Sequence, residues 1–155
     1  MLKVIISLFL LFYIGPSILI AQSSQVEHVV LIGIDGMSVK GLNKSSTRNI
    51  DAMIKDGSYT KRARAILPSS SSVNWSAMLM SATPAQTGVL SNIWNKDEAI
   101  LAPVVKTEDG IFPTIFGVLR RAHPNKEIGA IYQWEGIENL IEKTQMSYFT
   151  NARNA

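Results

Sequence analysis

The sequence predicts an α/β fold, a three-layer α/β/α sandwich with a mainly parallel sheet. Two observations lead to this prediction. Short apolar runs alternate with amphipathic segments, and turn residues such as Gly, Pro, Asn and Asp separate them. The chain has 155 residues, of which 46% are hydrophobic and 17% charged, as expected for one globular domain.

Three segments are predicted to be strands. The first, residues 28–34 (HVVLIGI), is a continuous run rich in β-branched residues that ends at Asp35-Gly36. Fully buried parallel strands have this pattern, because helices cover both of their faces. Residues 59–66 alternate in polarity, and residues 127–132 form the third predicted strand.

Four segments between and after these strands are predicted to be helices. The first has an N-cap near Thr47 or Asn49 and stops at Gly57. Residues 86–106 are predicted to be a loop, and residues 147–155 carry no helix or strand signal. The predicted helices cover residues 46–57, 73–81, 113–122 and 136–143.

The first residues, 1–21, have the pattern of a secretory signal peptide. An early cation, Lys3, precedes an apolar run, and the small residue Ala21 is the expected cleavage point. A retained transmembrane helix is the alternative, because the run approaches the ~20 residues that span a bilayer. The break at Gly15-Pro16 and the polar stretch that follows favour the signal peptide.

The leader sets the expected domain organisation and location. Residues 1–21 are the signal peptide, residues 22–28 a short polar linker and residues 29–155 the domain. We therefore expect an exported protein, periplasmic or extracellular, which meets the membrane only through the signal segment if that segment is not cleaved.

Composition excludes several kinds of site. The chain has no cysteine, so disulfides, thiolate metal sites and a lipid anchor on cysteine are excluded. The net charge is only +3, and neither Lys61-Arg62-Arg64 nor Arg120-Arg121 is interleaved with aromatic residues. We expect no nucleic-acid partner, and both clusters are interpreted as solvated surface.

Asp35 is the first residue with candidate chemistry. It directly follows the predicted strand 28–34, and ligands in open α/β sheets bind beyond the carboxyl ends of the strands. A carboxylate there could bind a metal ion or act as a general base. Alternatively, Asp35 is a turn former, because Asp-Gly favours an aspartate that bonds to its own backbone.

The second candidate is the serine run in residues 68–75 (PSSSSVNW), which passes from a strand into a helix. A serine at a helix N-terminus lies among unpaired N–H groups, at the positive end of the helix dipole, where a phosphate binds well. Alternatively, one or two of the serines only cap the helix. The two interpretations are compatible, since one serine can cap while its neighbour reacts.

Taken together, these segments resemble the type I phosphodiesterase and nucleotide pyrophosphatase branch of the alkaline phosphatase superfamily. The resemblance covers residues 29–141 and depends on the order and spacing of several short motifs. The similar segments are Ile34–Met37, Thr47–Met53 with Asp56-Gly57, Pro68–Asn74, Ser81–Gly88, Asn92–Trp94, Phe112–Ile115 and Ile128–Gly136.

The resemblance implies an alkaline-phosphatase-like fold and roles for four residues. By position, Ser71 would be the nucleophile and Asp35 a ligand of one of two zinc ions. Asn74 would contact the phosphoryl oxygens through its side-chain amide, assisted by a backbone N–H near Ser72. The implied reaction is hydrolysis of a small phosphate ester or nucleotide through a covalent phosphoseryl or nucleotidyl intermediate.

The sequence also departs from the family pattern. Serine replaces the usual threonine nucleophile, Trp75 replaces a histidine, and Thr87-Gly88 replaces a His-Gly pair. A sulfatase signature is absent, because Val73 stands where a proline or arginine would be needed. These differences leave the preference between diesters and monoesters open.

The ligand set for two zinc ions is incomplete in this sequence. The only histidines, His28 and His123, match no ligand position of the family, and a bimetallic site needs several more nitrogen or oxygen ligands. We therefore expect the sandwich to be incomplete in this chain. Two alternatives to catalysis follow: a truncated, catalytically incomplete remnant, or an exported module that binds phosphate esters without hydrolysing them.

Overall fold

A computed structural model describes residues 26–153 of the chain, which divides into two units, Met1–Ile34 and Asp35–Ala155. The predicted signal peptide, residues 1–21, lies outside the described residues. Within the described residues, no helix has the length and apolar character needed to cross a bilayer.

In the first unit, the predicted strand at residues 28–34 is wrong. The structure describes residues 26–34 of this unit as chain without helix or strand, and their side chains are exposed. Val29, for example, is 86% exposed. An apolar, β-branched sequence becomes a buried strand only when neighbouring strands accept its backbone hydrogen bonds, and no described residue pairs with this segment.

The second unit is an α/β arrangement of short elements. The described residues 35–153 contain five α-helices, α1 to α5, and two strands, β1 and β2, with two short 3₁₀ helices, Glu135–Leu140 and Lys143–Gln145, between the strands. The α-helices are Val39–Lys44, Arg48–Asp56, Ser71–Met80, Pro84–Thr87 and Ile115–Ala122, and the strands are Gly129–Tyr132 and Tyr148–Asn151.

The first part of this unit is mostly exposed. Helix α2 confirms the prediction for residues 46–57, with Thr47 as its N-cap residue and Gly57 at its end. Helix α1 was not predicted, although the Ser38 side chain caps it by accepting a hydrogen bond from Gly41 N–H. The predicted strand 59–66 is wrong, because this segment forms no strand.

A core forms further along the chain, around α3. The helix is buried along much of its length because Val73, Leu79 and Met80 all face apolar neighbours. The buried core consists of Val73, Leu79, Met80, Val89, Trp94, Ile111, Tyr132, Leu140 and Ile141. Helix α3 is therefore held by packing against residues well beyond it in the sequence.

The two strands form a parallel pair, as predicted for the sheet, but only one of them was expected. Strand β1 lies inside the predicted strand 127–132, whereas β2 was not predicted. Gly129 is paired with Tyr148, and Tyr132 with Asn151. The predicted helix 136–143 is instead the two short 3₁₀ segments of the crossover between the strands.

Helix α5 is fixed to the crossover by two side chains. The buried Glu142 carboxylate accepts hydrogen bonds from the N–H and hydroxyl of Thr114, the N-cap residue of α5. Near the other end, the Arg120 guanidinium donates to the carbonyl oxygens of Pro124, Lys126 and Gln145. A negative charge at the start of a helix is favourable, and here it also joins two distant segments.

We expect Gly117→Ala to lower the free energy of unfolding by about 1–3 kcal/mol. The added Cβ would lie 2.7 Å from both carboxylate oxygens of Glu142, which cannot move away without breaking the cap of α5. Alanine normally stabilises a helix relative to glycine, so a loss of stability identifies the clash. The measurement is urea-induced unfolding.

The matched control for this prediction is Gly129→Ala in β1. Its added Cβ would meet only the Tyr148 carbonyl oxygen, at an ordinary 3.8 Å. Gly117→Ala should therefore be clearly less stable than Gly129→Ala. Equal stability of the two variants would contradict the proposed packing of Glu142 against α5.

Candidate active site

Ser71 is the first residue of helix α3. The helix begins two residues earlier than predicted, so Ser71 and Ser72 belong to its first turn. Ser70 is the N-cap residue, with an extended backbone, and its carbonyl accepts the hydrogen bond from Asn74 N–H. Its side chain makes no capping hydrogen bond, so the alternative of a serine cap is not seen at Ser70, and the first-turn N–H groups are left for other partners.

One of these partners is the side chain of Asn92. Its Oδ1 accepts a hydrogen bond of 2.9 Å from the backbone N–H of Ser72. This contact fixes the orientation of the planar amide, because only the oxygen can accept. The Nδ2 donor of Asn92 is therefore not used by Ser72 N–H. Asn92 itself is exposed and lies in a loop beside the start of the helix.

The loop that carries Asn92 is anchored on both sides. Before it, Gly88 has a positive φ of 75°, and a Cβ there would lie 2.2 Å from the carbonyl oxygen of Leu101. After it, Trp94 is buried in the core. The close approach at Gly88 and the buried ring of Trp94 together set the position of Asn92 beside α3.

Asn74 lies one turn into α3, and its amide is engaged at both ends. Its Oδ1 accepts from Ile66 N–H at 2.9 Å, and its Nδ2 donates to the Ser70 carbonyl at 2.9 Å. Asn74 therefore ties the start of the helix to the chain segment that precedes the serine run. The predicted contact of this amide with a phosphoryl oxygen would require it to give up these partners.

Asp35 forms the turn that the Asp-Gly sequence favours and also approaches α3. Its Oδ1 accepts from Gly36 N–H at 2.7 Å, and Gly36 has a φ of 69°. Its Oδ2 lies 3.5 Å from the indole nitrogen of Trp75. Since Trp75 is four residues after Ser71, the two lie on the same side of the helix, and the carboxylate lies beside the helix face that carries the serine.

A model of the type I phosphodiesterase / nucleotide pyrophosphatase family matches residues 29–136. The chain belongs to this family. The match contains all the residues of the candidate site and confirms the resemblance inferred from the sequence motifs. No curated protein and no solved structure matches the chain.

Members of the type I phosphodiesterase family act on small phosphate esters or nucleotides and are generally metal-dependent. The metal-ligand chemistry of this chain can therefore be compared with that requirement. Among residues 26–153, no three His, Asp or Glu side chains come close enough to hold one metal ion. Asp35 is a single carboxylate, so the described residues do not fit a complete zinc site.

Neither histidine is predicted from the sequence to be a metal ligand. His28 belongs to the first unit. His123 is the C-cap residue of α5, where its backbone N–H donates to the Leu119 carbonyl. That neither histidine binds a metal ion stays a prediction.

The start of α3 thus brings together predicted and unpredicted residues of this phosphodiesterase family member. Ser71, Ser72, Asn74 and Asp35 were all singled out from the sequence, whereas Asn92 had been noted only as part of a family motif. A signal for Asn92 was available, since a polar amide follows closely after a glycine in a predicted loop. Because Ser72 and Asn92 are 20 residues apart in the sequence, local patterns did not predict their contact.

Proposed function

We propose that this protein hydrolyses phosphodiesters or nucleotide pyrophosphates with Ser71 as its nucleophile. The observation that carries the proposal is the position of Ser71 at the first residue of a ten-residue helix whose N-cap residue, Ser70, makes no side-chain capping bond. Helix N-termini favour phosphate, because their N–H groups and the helix dipole attract negative charge. Membership of the phosphodiesterase family supports the same chemistry.

The proposed reaction has two steps. The Ser71 oxygen attacks phosphorus, a new P–O bond forms to the serine, and the bond to the leaving alcohol or phosphate breaks. Water then hydrolyses the phosphoseryl or nucleotidyl intermediate and returns the serine hydroxyl. The serine proton is transferred to solvent or a base in the first step and regained in the second.

We further propose that Asn92 stabilises the charge that develops on the phosphoryl oxygens. The exposed amide of Asn92 has its oxygen on Ser72 N–H, so its Nδ2 is the end available to a ligand. The amide of Asn74 is instead bonded to backbone groups of Ile66 and Ser70. We therefore assign substrate contact to Asn92 and positioning of the helix start to Asn74.

Asp35 is proposed as a ligand of one of two zinc ions, as the family resemblance implies. When bound, zinc would polarise the phosphoryl group and lower the pKa of a bound hydroxyl or water. Its approach to the Ser71 face of α3 through Trp75 supports this assignment. Because the described residues supply no further ligands around Asp35, no step of the reaction is derived through the metal.

The proposal extends to the fold and location. We propose that the parallel pair β1–β2 belongs to an alkaline-phosphatase-like three-layer sandwich, which family membership and the parallel register support. Export to the periplasm or outside the cell is proposed from the sequence of residues 1–21 alone.

A second candidate function is binding of phosphate esters without hydrolysis. The lack of a three-ligand cluster among residues 26–153 favours it, because the helix N-terminus can bind phosphate without any metal. The same observation favours a catalytically incomplete remnant. The two candidates differ from the hydrolase in their response to zinc.

Hydrolysis of p-nitrophenyl phosphate and of the p-nitrophenyl ester of a nucleotide, with zinc supplied, tests the proposal. We expect release of p-nitrophenol that is lost on adding a chelator and restored by zinc. Ester binding that a chelator leaves unchanged, without turnover, would support the binding module. Failure to bind either ester, together with no zinc uptake in a titration, would support the remnant.

A further inference from the structure

The positive charge of this protein is concentrated in one stretch of the chain, residues 40–64. This stretch contains seven lysines and arginines and two aspartates, a net charge of +5, whereas the whole chain carries +3. The other residues together are therefore slightly acidic. Such an asymmetry indicates an interaction with an anionic partner rather than a generally basic protein.

The cations in this stretch are available to a partner. All seven are exposed, and none forms an ion pair among residues 26–153. A hydrogen bond of 2.7 Å from Lys61 Nζ to Asn43 Oδ1 brings the cluster Lys61-Arg62-Arg64 next to the C-terminal end of α1, which carries Lys44. Cations that are separated in the sequence thus come together on one surface.

Apolar side chains are exposed within and beside the same stretch. Helix α2 buries none of its residues, and Met53, near its C-terminal end, is 68% exposed. Ile50, Met53 and Ile54 follow the spacing of one helix face. The rest of the helix carries Arg48 and Lys55 together with Asp51 and Asp56, so α2 itself has no net charge. Tyr59 and Leu67 continue the exposed apolar surface at 62% and 77%.

An exposed apolar helix face with a cluster of cations beside it, here Lys44 and Lys61-Arg62-Arg64, is typical of proteins that lie on a membrane surface. Nucleic-acid surfaces instead combine cations with aromatic rings that stack on bases, and Tyr59 is the only aromatic residue between positions 39 and 67. Helix α2 has nine residues and offers little apolar area, so binding would depend mainly on negatively charged lipid.

We propose that residues 39–67 form a docking surface for the headgroups of an anionic lipid bilayer. The cations of this surface are not among the residues assigned to the Ser71 site, and the proposal does not depend on the hydrolase activity. It would hold the second unit at a membrane whether or not the leader is removed.

The test is co-sedimentation of the full chain with vesicles of phosphatidylcholine alone or of equal parts phosphatidylcholine and phosphatidylglycerol. The chain should prefer the anionic vesicles, and added salt should weaken that preference. Replacing the cluster with glutamate (Lys61→Glu, Arg62→Glu, Arg64→Glu) should lower affinity for the anionic vesicles on the order of 100-fold, from roughly fivefold for each basic residue lost.

The matched control replaces three exposed cations elsewhere in the second unit (Lys106→Glu, Arg121→Glu, Lys126→Glu), with the same change in net charge. Both triple variants keep the predicted signal segment, residues 1–21, so any binding of that segment to lipid is the same in the two. A second pair, Met53→Ser and the similarly exposed Met78→Ser, tests the apolar face, and only Met53→Ser should weaken binding.

Three results would overturn the proposal. Equal loss of binding in the two triple variants would show that binding depends on the net charge of the protein and not on this surface. Equal binding to both kinds of vesicle would remove the role of the cations. Binding of single-stranded RNA more tightly than the anionic vesicles, abolished by the 61/62/64 variant, would assign the surface to nucleic acid.

Discussion

Ser71→Ala is expected to lower kcat/KM for phosphoester hydrolysis by at least a factor of about 10³, because it removes the proposed attacking oxygen, and the next hydroxyl along the helix, that of Ser72, is buried. The fold should be retained, because α3 begins with the hydrogen bond from Asn74 N–H to the Ser70 carbonyl and does not use the Ser71 side chain as its cap. The measurement is steady-state hydrolysis of the two p-nitrophenyl esters by a variant whose unfolding midpoint matches that of the wild type.

Two controls separate the nucleophile from its neighbours. Ser69→Ala removes a hydroxyl from the exposed segment before the helix and should leave activity within about twofold of the wild type. Ser71→Thr keeps a hydroxyl at the same position and should retain a measurable rate, since a secondary alcohol can form the same phosphoester.

A trapped intermediate would identify the attacking oxygen directly. Rapid acid quenching of turnover should leave phosphate or nucleotide on a peptide that contains Ser71, detectable by mass spectrometry. Wild-type activity in Ser71→Ala, or a modified peptide elsewhere in the chain, would reject Ser71 as the nucleophile and leave phosphate binding as the role of this helix end.

Local signals in the sequence were sufficient for the elements that depend on neighbouring residues. Helix α2 was predicted because Thr47 and Gly57 mark its ends, and a helix needs only its own backbone to form its hydrogen bonds. The turn at Asp35-Gly36 was one of two predicted interpretations for the same reason. In both cases, residues that are close in the sequence determine the conformation.

Strands were predicted less well because each depends on a partner distant in the sequence. Residues 28–34 have the composition of a buried strand but pair with no described strand, whereas the four residues of β2 are strand only through their pairing with β1. Composition reports how well a segment would suit a sheet. It does not report whether a neighbouring strand is present.

The candidate site shows the same division. Ser71 and Asp35 were identified from motifs that each lie within a few residues. Asn92 reaches Ser72 only because Gly88 permits a close approach to Leu101 and Trp94 is held in the core. These are tertiary contacts, so the sequence pattern led to Asn74, the amide closer to the serine run, rather than to Asn92.

Asn92 and Asn74 can be distinguished because replacement of Asn92 should lower kcat far more than replacement of Asn74. Asn92→Ala is expected to lower kcat about 100-fold, the effect of removing one hydrogen-bond donor from the developing charge of a transition state. The buried N–H of Ser72 also loses its partner, so the free energy of unfolding should fall by about 1–3 kcal/mol. Asn74→Ala should lower that free energy at least as much, because the N–H of Ile66 and the carbonyl of Ser70 both lose a partner, but the folded variant should keep most of its kcat.

Asn92→Asp makes this test more specific. Aspartate keeps an oxygen that can accept from Ser72 N–H, but it removes the Nδ2 donor and places a negative charge where the phosphate would bind. The variant should therefore fold as well as the wild type and lose at least as much activity as Asn92→Ala. If Asn92→Asp is active while Asn74→Ala is folded and inactive, the phosphoryl contact belongs to Asn74. The amide of Asn74 must then leave Ile66 and Ser70 when substrate binds, and the start of α3 rearranges during the reaction.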